Sequence, residues 1–236
     1  MTVSEPGSIA PNATAEVPSE RTPAPRLARA AALVMAAFVL SRLLGLLREM
    51  VISNQFGTSR ALDAYRAAFS IPDLIFTLVI GGALGSAFIP TFTAYLARRE
   101  EDEAWRVASS VFNLALLGLT ATAGVVFLLA PWLVPLIVPG FLDDAEALAL
   151  TTDLVRIMLL SPILGGLSGI VMGVLNSYQR FLLPALAPVM YNLGIIGGAV
   201  WLAPTMGVRG LAVGVAAGAA LHLVIQVPGL AALKPA

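Results

Sequence analysis

LSRLLGLLREMVISNQFGTSRALDAYRAAFSIPDL, residues 40–74, sets arginines and carboxylates inside an otherwise apolar run. The twelve residues from Arg29 to Leu40 just before it are almost all Ala, Val, Leu, Met and Phe. Arg42, Gly45 and Glu49 fall at i, i+3 and i+7, one face of a helix, while Ser41, Gly45 and Arg48 share the adjacent face. An arginine at the centre of a membrane helix costs about 2.5–3.5 kcal/mol on insertion scales, so such residues are functional candidates by default. A polar stripe of this kind faces a cavity or a partner helix, not lipid. Past Phe56-Gly57, a second helix carries Asp63 and Arg66 one turn apart, then Ser70, then Asp73 after Pro72. Both helices therefore bring their charges to one half of the protein.

The rest of the chain agrees with a membrane setting. Of 236 residues, 58% are hydrophobic and only 12% charged, with mean hydropathy +0.88. Soluble domains carry roughly 25% charged residues, so a soluble enzyme is excluded. Fourteen basic residues against fourteen acidic ones leave no excess for phosphate neutralisation, so no nucleic-acid partner is expected. Cysteine is absent and histidine occurs once, which leaves no material for thiolate or His-based metal sites or for a His-dependent triad. No phosphate-binding glycine loop, catalytic carboxylate pair or metal-spaced cluster occurs. No enzyme, metal or cofactor is expected.

Six apolar spans are predicted, at roughly 28–52, 63–97, 104–130, 147–176, 182–203 and 208–232, against the ~20 residues that cross a bilayer. Residues 1–25, rich in Pro, Ala, Ser, Thr and Glu, read as a disordered cytoplasmic tail, and 26–236 as an all-α transmembrane unit. The over-long second span suggests breaks at Pro72 and at Gly81-Gly82. Pro131, Pro135 and Pro139 suggest that Trp132 to Phe141 is a kinked interfacial segment rather than a crossing. Arg21, Arg26, Arg29, Arg98, Arg99, Arg106, Arg180 and Lys234 fall on one side of this arrangement, and the loop at Asp143, Asp144 and Glu146 on the other has no Lys or Arg. The positive-inside rule then puts both termini in the cytoplasm.

Glycines recur every fourth residue: Gly81/Gly85, Gly165/Gly169/Gly173, Gly194/Gly198 and Gly210/Gly214/Gly218. Lipid gives helices no hydrophobic reason to associate, so such rows serve close packing, or faces that slide during transport. Arg42 lies well inside its span and has a planar fork suited to phosphate oxygens, which makes it the leading ligand candidate. For Arg48–Glu49 and Asp63–Arg66 a structural reading competes, in which they pair or snorkel at a helix end. Asn113 and Asn192 read as interhelical hydrogen-bonders, Asp153–Arg156 as an i, i+3 ion pair, and His222 as a packing histidine more readily than a proton relay.

Residues 40–74 resemble the start of the MurJ (MviN-like) lipid II flippases. Their Ser-Arg-x-x-Gly-x-x-Arg-Asp/Glu pattern is matched by Ser41, Arg42, Gly45, Arg48 and Glu49; their Phe-Gly turn by Phe56-Gly57; their Asp-Ala-aromatic step by Asp63-Ala64-Tyr65. Ala87-Phe88-Ile89-Pro90, Ala130-Pro131-Trp132, Pro139-Gly140-Phe141, Leu175-Asn176 and Phe181 to Pro188 continue the likeness, which covers about 28–232. The resemblance implies one six-helix lobe of a two-lobe, V-shaped transporter of the multidrug/oligosaccharidyl-lipid/polysaccharide exporter type. It implies a multi-pass protein of the bacterial cytoplasmic membrane that moves undecaprenyl-pyrophosphate-linked disaccharide peptide between leaflets, with membrane lipid and a second, C-terminal lobe as partners. It also matches Arg42, Arg48 and Asp63 to positions that the family uses in its central cavity. By charge and spacing, Arg66 joins them as a substrate-facing candidate, with Ser41, Gly45, Glu49 and Asp73 as supporting residues. One departure stands out. Where many relatives carry an Arg pair and then an acid in the second helix, this chain has Phe76, Thr77 and Gly81. A flippase for another polyprenyl-linked saccharide, a drug/cation antiporter of the same superfamily and a non-transporting membrane scaffold remain as alternatives.

The absence of cysteine makes the topology directly testable. A single Asp143→Cys should react with an impermeant maleimide from outside intact cells, and Asp102→Cys only after permeabilisation. The reverse pattern would invert the assigned orientation.

Overall fold

The computed structural model describes residues 24–79 and 87–233, which form helices joined by short turns. The helices are α1 (Ala24–Phe56), α2 (Arg60–Val79), α3 (Ile89–Ala97), α4 (Glu101–Ile137), α5 (Ala145–Met158), α6 (Leu160–Ser177), α7 (Leu182–Gly197), α8 (Ala203–Met206), α9 (Val208–Val224) and α10 (Val227–Ala231). A π-helical turn, Gly198–Leu202, joins α7 to α8, and a 3-10 turn, Pro139–Phe141, follows α4. Most of the expected tail, and the Gly81-Gly82 and Gly81/Gly85 pairs, lie outside the described residues.

Five described helical runs, rather than six, are long and apolar enough to cross a membrane: Ala31–Phe56, Glu101–Ile137, Ala145–Ser177, Leu182–Met206 and Val208–Ala231. The second predicted span, 63–97, falls on α2 and α3, with residues 80–86 between them outside the description. Arg60, Asp63, Arg66 and Asp73 crowd the 20 residues of α2, which is not among these runs.

Prolines explain where these helices break and where they do not. A proline removes its own amide donor, and its ring crowds the carbonyl four residues earlier. Pro162 stands four residues after Met158, where α5 ends, and Pro228 four after Val224, where α9 ends. Pro131 does not break α4, which runs on through Pro135 to Ile137. Trp132 to Ile137 is therefore helix, and only Pro139–Phe141 forms a separate turn, contrary to the interfacial segment that the sequence suggested. The carbonyl that Pro131 leaves without a partner, on Phe127, accepts a hydrogen bond from Arg156 Nε at 3.2 Å. The same guanidinium lies 4.9 Å from the Phe127 ring centroid. Arg156 is thus committed to α4, and Asp153 pairs instead with Arg209 Nη2 at 2.8 Å; the expected Asp153–Arg156 pair does not form. Pro72 likewise leaves α2 continuous. Ala68, Ile71 and Pro72 are buried, and the packing of α2 on α5 and α6 holds the helix across the missing bond.

The most extensive helix contact is between α7 and α9, and α9 also packs on α5 and α6. Glycine rows set this contact. A Cβ built on Gly198 would lie 2.6 Å from Gly214 Cα, and one on Gly214 would lie 2.9 Å from Gly198 Cα. Gly194 faces Gly218 just as closely. In α6 the glycines do a different job: Gly165 receives the Phe76 ring of α2, and Gly173 meets Phe88 and Ile89 at the start of α3. Around this centre Leu62, Leu154, Met158, Ile195, Leu211 and Val215 form the main core. A second cluster, Phe88, Phe92, Ala104, Ala108, Ile170 and Val174, closes the α3–α4–α6 end. Burial is uneven: 61% of the most apolar window of α5–α6 is buried, but only 6% of that of α1. α1 is an outlying wall.

At the α1–α2 loop, Arg60 donates to Asp144 Oδ2 at 3.1 Å and to Gly140 O at 3.1 Å, and lies 4.2 Å from the Phe141 ring centroid. Asp144 also caps α5 by accepting from Ala147 N at 2.9 Å. The Ala147 amide first, and Arg60 second, hold its carboxyl below the usual carboxylate range.

Gly214→Leu should force α7 from α9 and lower stability by about 1–3 kcal/mol or more. Gly118→Ala, where an added Cβ meets nothing within 4 Å, should be neutral. Thermal unfolding in detergent, followed by circular dichroism, checks the contrast. Equal midpoints would mean that the glycine rows do not hold the helices together.

Candidate functional site: two joined cavities beside the first helix

α1 packs chiefly on α7, and their junction encloses a cavity of about 770 Å³. Its polar lining comes from Ser41, Arg42, Arg48 and Glu49 on α1 and from Asn192 on α7. Phe38, Pro184 and Pro188 are among its apolar walls. The i, i+3, i+4, i+7 spacing read from the sequence does place Ser41, Arg42, Gly45, Arg48 and Glu49 around one cavity.

Arg48 is the organised cation of the site. Its Nη2 and Nε reach Glu49 Oε1 at 2.7 and 3.2 Å, and its Nη1 donates to Asn192 Oδ1 at 3.2 Å. Its side chain is 25% exposed, against 50% or more for Arg60, Arg106 and Arg209 in the other ion pairs. Asn192 in turn donates through Nδ2 to Ser41 O at 3.3 Å and to Pro188 O at 3.1 Å. One buried amide therefore ties α1 to α7 and fixes the orientation of Arg48. Gly45 lies opposite it; a Cβ there would stand 4.0 Å from Asn192 Oδ1. Arg42 is exposed on the cavity wall with its guanidinium 5.1 Å from the Phe38 ring centroid, and has no ion pair among the described residues.

A second cavity of about 330 Å³ adjoins the first and shares Arg48, Pro188 and Tyr191 with it. Asp73 opens into it, together with Phe69, Phe76, Ser161 and His222. Asp63 and Arg66 stand apart: both are exposed, neither lines either cavity, and no ion pair joins them among the described residues. Asn113 is exposed on α4. His222 is a bonded histidine, its Nδ1 2.7 Å from Ser168 Oγ.

Asn192 matters more than a generic interhelical hydrogen-bonder, and Tyr191 and Pro188 were not among the sequence candidates. The available signal was the polar Tyr191-Asn192 pair one turn after a proline in an apolar span. What the sequence could not supply was the partner, 144 residues away along the chain.

Asn192→Leu should remove the only described tie of Arg48 to α7. We expect a loss of about 1–3 kcal/mol for the stranded polar groups, and faster amide exchange along the middle of α1. Asn113→Leu should change neither. Unaltered exchange in Asn192→Leu would assign the hold on α1 to apolar contact alone.

Comparison with known proteins agrees with this architecture. The family model described as "Lipid II flippase MurJ" matches residues 52–234. Lipid II flippase MurJ of Burkholderia cenocepacia is 35% identical over 211 residues, which cover 86% of this chain and 40% of that protein. The probable lipid II flippase MurJ of Buchnera aphidicola subsp. Acyrthosiphon pisum is 34% identical over 161 residues, 67% of this chain and 31% of that relative. A solved structure of lipid II flippase MurJ in an inward closed conformation superposes with a TM-score of 0.70 at 28% identity, covering 86% of this chain and 43% of that one. The chain therefore spans less than half the length of these relatives. With a family model matched across most of its length, it belongs to the lipid II flippase MurJ family.

Proposed function

We propose that this chain forms the N-terminal lobe of a transporter that moves a polyprenyl-pyrophosphate-linked saccharide, of the lipid II type, across the bacterial cytoplasmic membrane. It acts with a second lobe, as a carrier rather than an enzyme, with its N-terminus in the cytoplasm. The observation that carries this reading is Arg48, a cation placed in a cavity between two helices long and apolar enough to cross a membrane, with Arg42 on the same wall. A pyrophosphate cannot cross hydrocarbon unaided, and guanidinium groups give it charge-assisted, bidentate hydrogen bonds.

The geometry suggests a division of labour. Arg42 has no carboxylate partner among the described residues and offers its full charge to the phosphates. Arg48 is already held by Glu49 and Asn192, so a phosphate must share or displace Glu49. That competition limits affinity and favours release. Asp63 and Arg66, exposed on α2, meet the head group only if it extends beyond the cavities, or if a second lobe brings it to them. Alternating opening of two lobes would expose one site to each leaflet in turn.

Arg42 gives the decisive test, because Lys keeps the charge and loses the planar fork. With this lobe replacing the matching region of a full-length relative, Arg42→Ala should abolish growth of a flippase-depleted strain and Arg42→Lys should impair it. Arg209→Ala, which breaks only an exposed ion pair, should be tolerated. Normal growth with Arg42→Ala at parental expression would refute the anion-site assignment.

A further inference from the structure

The smaller cavity is not explained by phosphate binding. It carries one shared arginine, yet its other polar groups do not suit an anion: Asp73 is acidic, and Ser161 and His222 are mixed donors and acceptors. Phe69, Phe76 and Tyr191 add aromatic surface to the same space. Flat apolar rings beside a carboxylate and hydroxyl-type groups are the chemistry that recognises a sugar. The rings cover the C–H faces, and the polar atoms exchange hydrogen bonds with the hydroxyls. The volume of about 330 Å³ lies at the small end of the ~300–1,000 Å³ range of ligand pockets, enough for one six-membered ring and too little for a disaccharide. Its position suits the same ligand. Both cavities have Arg48 and Tyr191 in their linings, so a sugar directly bonded to a pyrophosphate at Arg48 would lie beside this chamber.

His222 is fixed for such a role. Ser168 Oγ lies 2.7 Å from its Nδ1, and the buried Gln226 side chain donates to Ser168 Oγ at 2.6 Å and to His222 O at 2.9 Å. Its Nε2 has no hydrogen-bond partner among the described residues, and the ring borders the chamber. A histidine held at one nitrogen, on the lining of a polar chamber, has its other nitrogen left for a ligand hydroxyl. The neighbouring Tyr191 ring stands edge-on to it, at 6.5 Å and 89°.

We propose that the chamber between α1, α2, α6, α7 and α9 is a subsite for the first hexose attached to the pyrophosphate, with Asp73, Ser161 and His222 bonding its hydroxyls. The inference rests on the anion-site reading of Arg48 above. Two probes separate the claims: a short-chain prenyl pyrophosphate, and the same prenyl pyrophosphate carrying one N-acetylhexosamine, each titrated against the 236-residue chain in lipid nanodiscs. The sugar-bearing probe should bind about tenfold more tightly than the bare one, as one or two added hydrogen bonds would give. Ser161→Ala should lose part of that advantage. Ala219→Leu, which fills the chamber without removing a polar group, should lose all of it, and both variants should bind the bare probe as the parent does. Arg48→Gln should weaken both probes together. Equal binding of the two probes by the parent overturns the sugar subsite while leaving the anion site standing. An advantage that survives both Ser161→Ala and Ala219→Leu also overturns it, by placing the sugar elsewhere. Failure of the bare probe to bind the parent overturns the anion site and the subsite with it.

Discussion

Everything in this lobe is referred to the backbone-to-backbone contact of α7 with α9. Two helices in lipid gain nothing by hiding apolar side chains from a solvent that is itself apolar; they gain by fitting closely. Gly194 and Gly198 against Gly214 and Gly218 remove the side chains that would hold the axes apart. α9 then becomes the post on which α5, α6 and α7 stand. With one face of α7 locked to α9, its other face, carrying Pro188 and Asn192, is left for α1. The polar site exists because that second face is offered at a fixed height and angle.

The site depends on a charge kept inside without being cancelled. A lone guanidinium in hydrocarbon is costly, and a fully neutralised one has nothing left for a ligand. Arg48 sits between these limits. Glu49 balances its charge, while Asn192, a neutral acceptor, directs it without further neutralisation. Arg48 is thus charge-balanced within the cavity. Arg42, about one and a half turns earlier on the same wall, has no ion pair among the described residues. α1 rests mainly on α7 and is far less buried than α5–α6 and α9.

The prolines show how a membrane helix can be interrupted without stranding a polar group. Before Pro162 and Pro228 the helix ends and restarts. At Pro131 a side chain serves the freed backbone group: Arg156 takes the carbonyl of Phe127, and α4 runs on; at Pro72 packing alone carries α2 through. The same arginine cannot then serve Asp153, which turns to Arg209. One local backbone defect thereby reassigns the ion pairing of two other helices.

The sequence by itself determined the class of protein, the polar stripe on the first helix and the family. These follow from quantities that are local along the chain: apolar content, helical periodicity, and motifs in fixed order. It placed Ser41, Arg42, Gly45, Arg48 and Glu49 on common faces because 3.6 residues per turn leave no other choice. It also read the glycine rows as packing faces. Only the tertiary structure decided which faces meet. It set Asn192 on Arg48 across 144 residues of chain, Phe76 into the gap at Gly165, and Arg156 on a carbonyl of α4. It left Asp63 and Arg66 outside both cavities, although their spacing from Asp73 looked like a continuation of the same site. It also opened a chamber where five helices meet, of which the sequence gives no sign. Spacing along one helix fixes direction about that helix's own axis. The distance between two helices is fixed by what their side chains leave room for, and that depends on both partners at once.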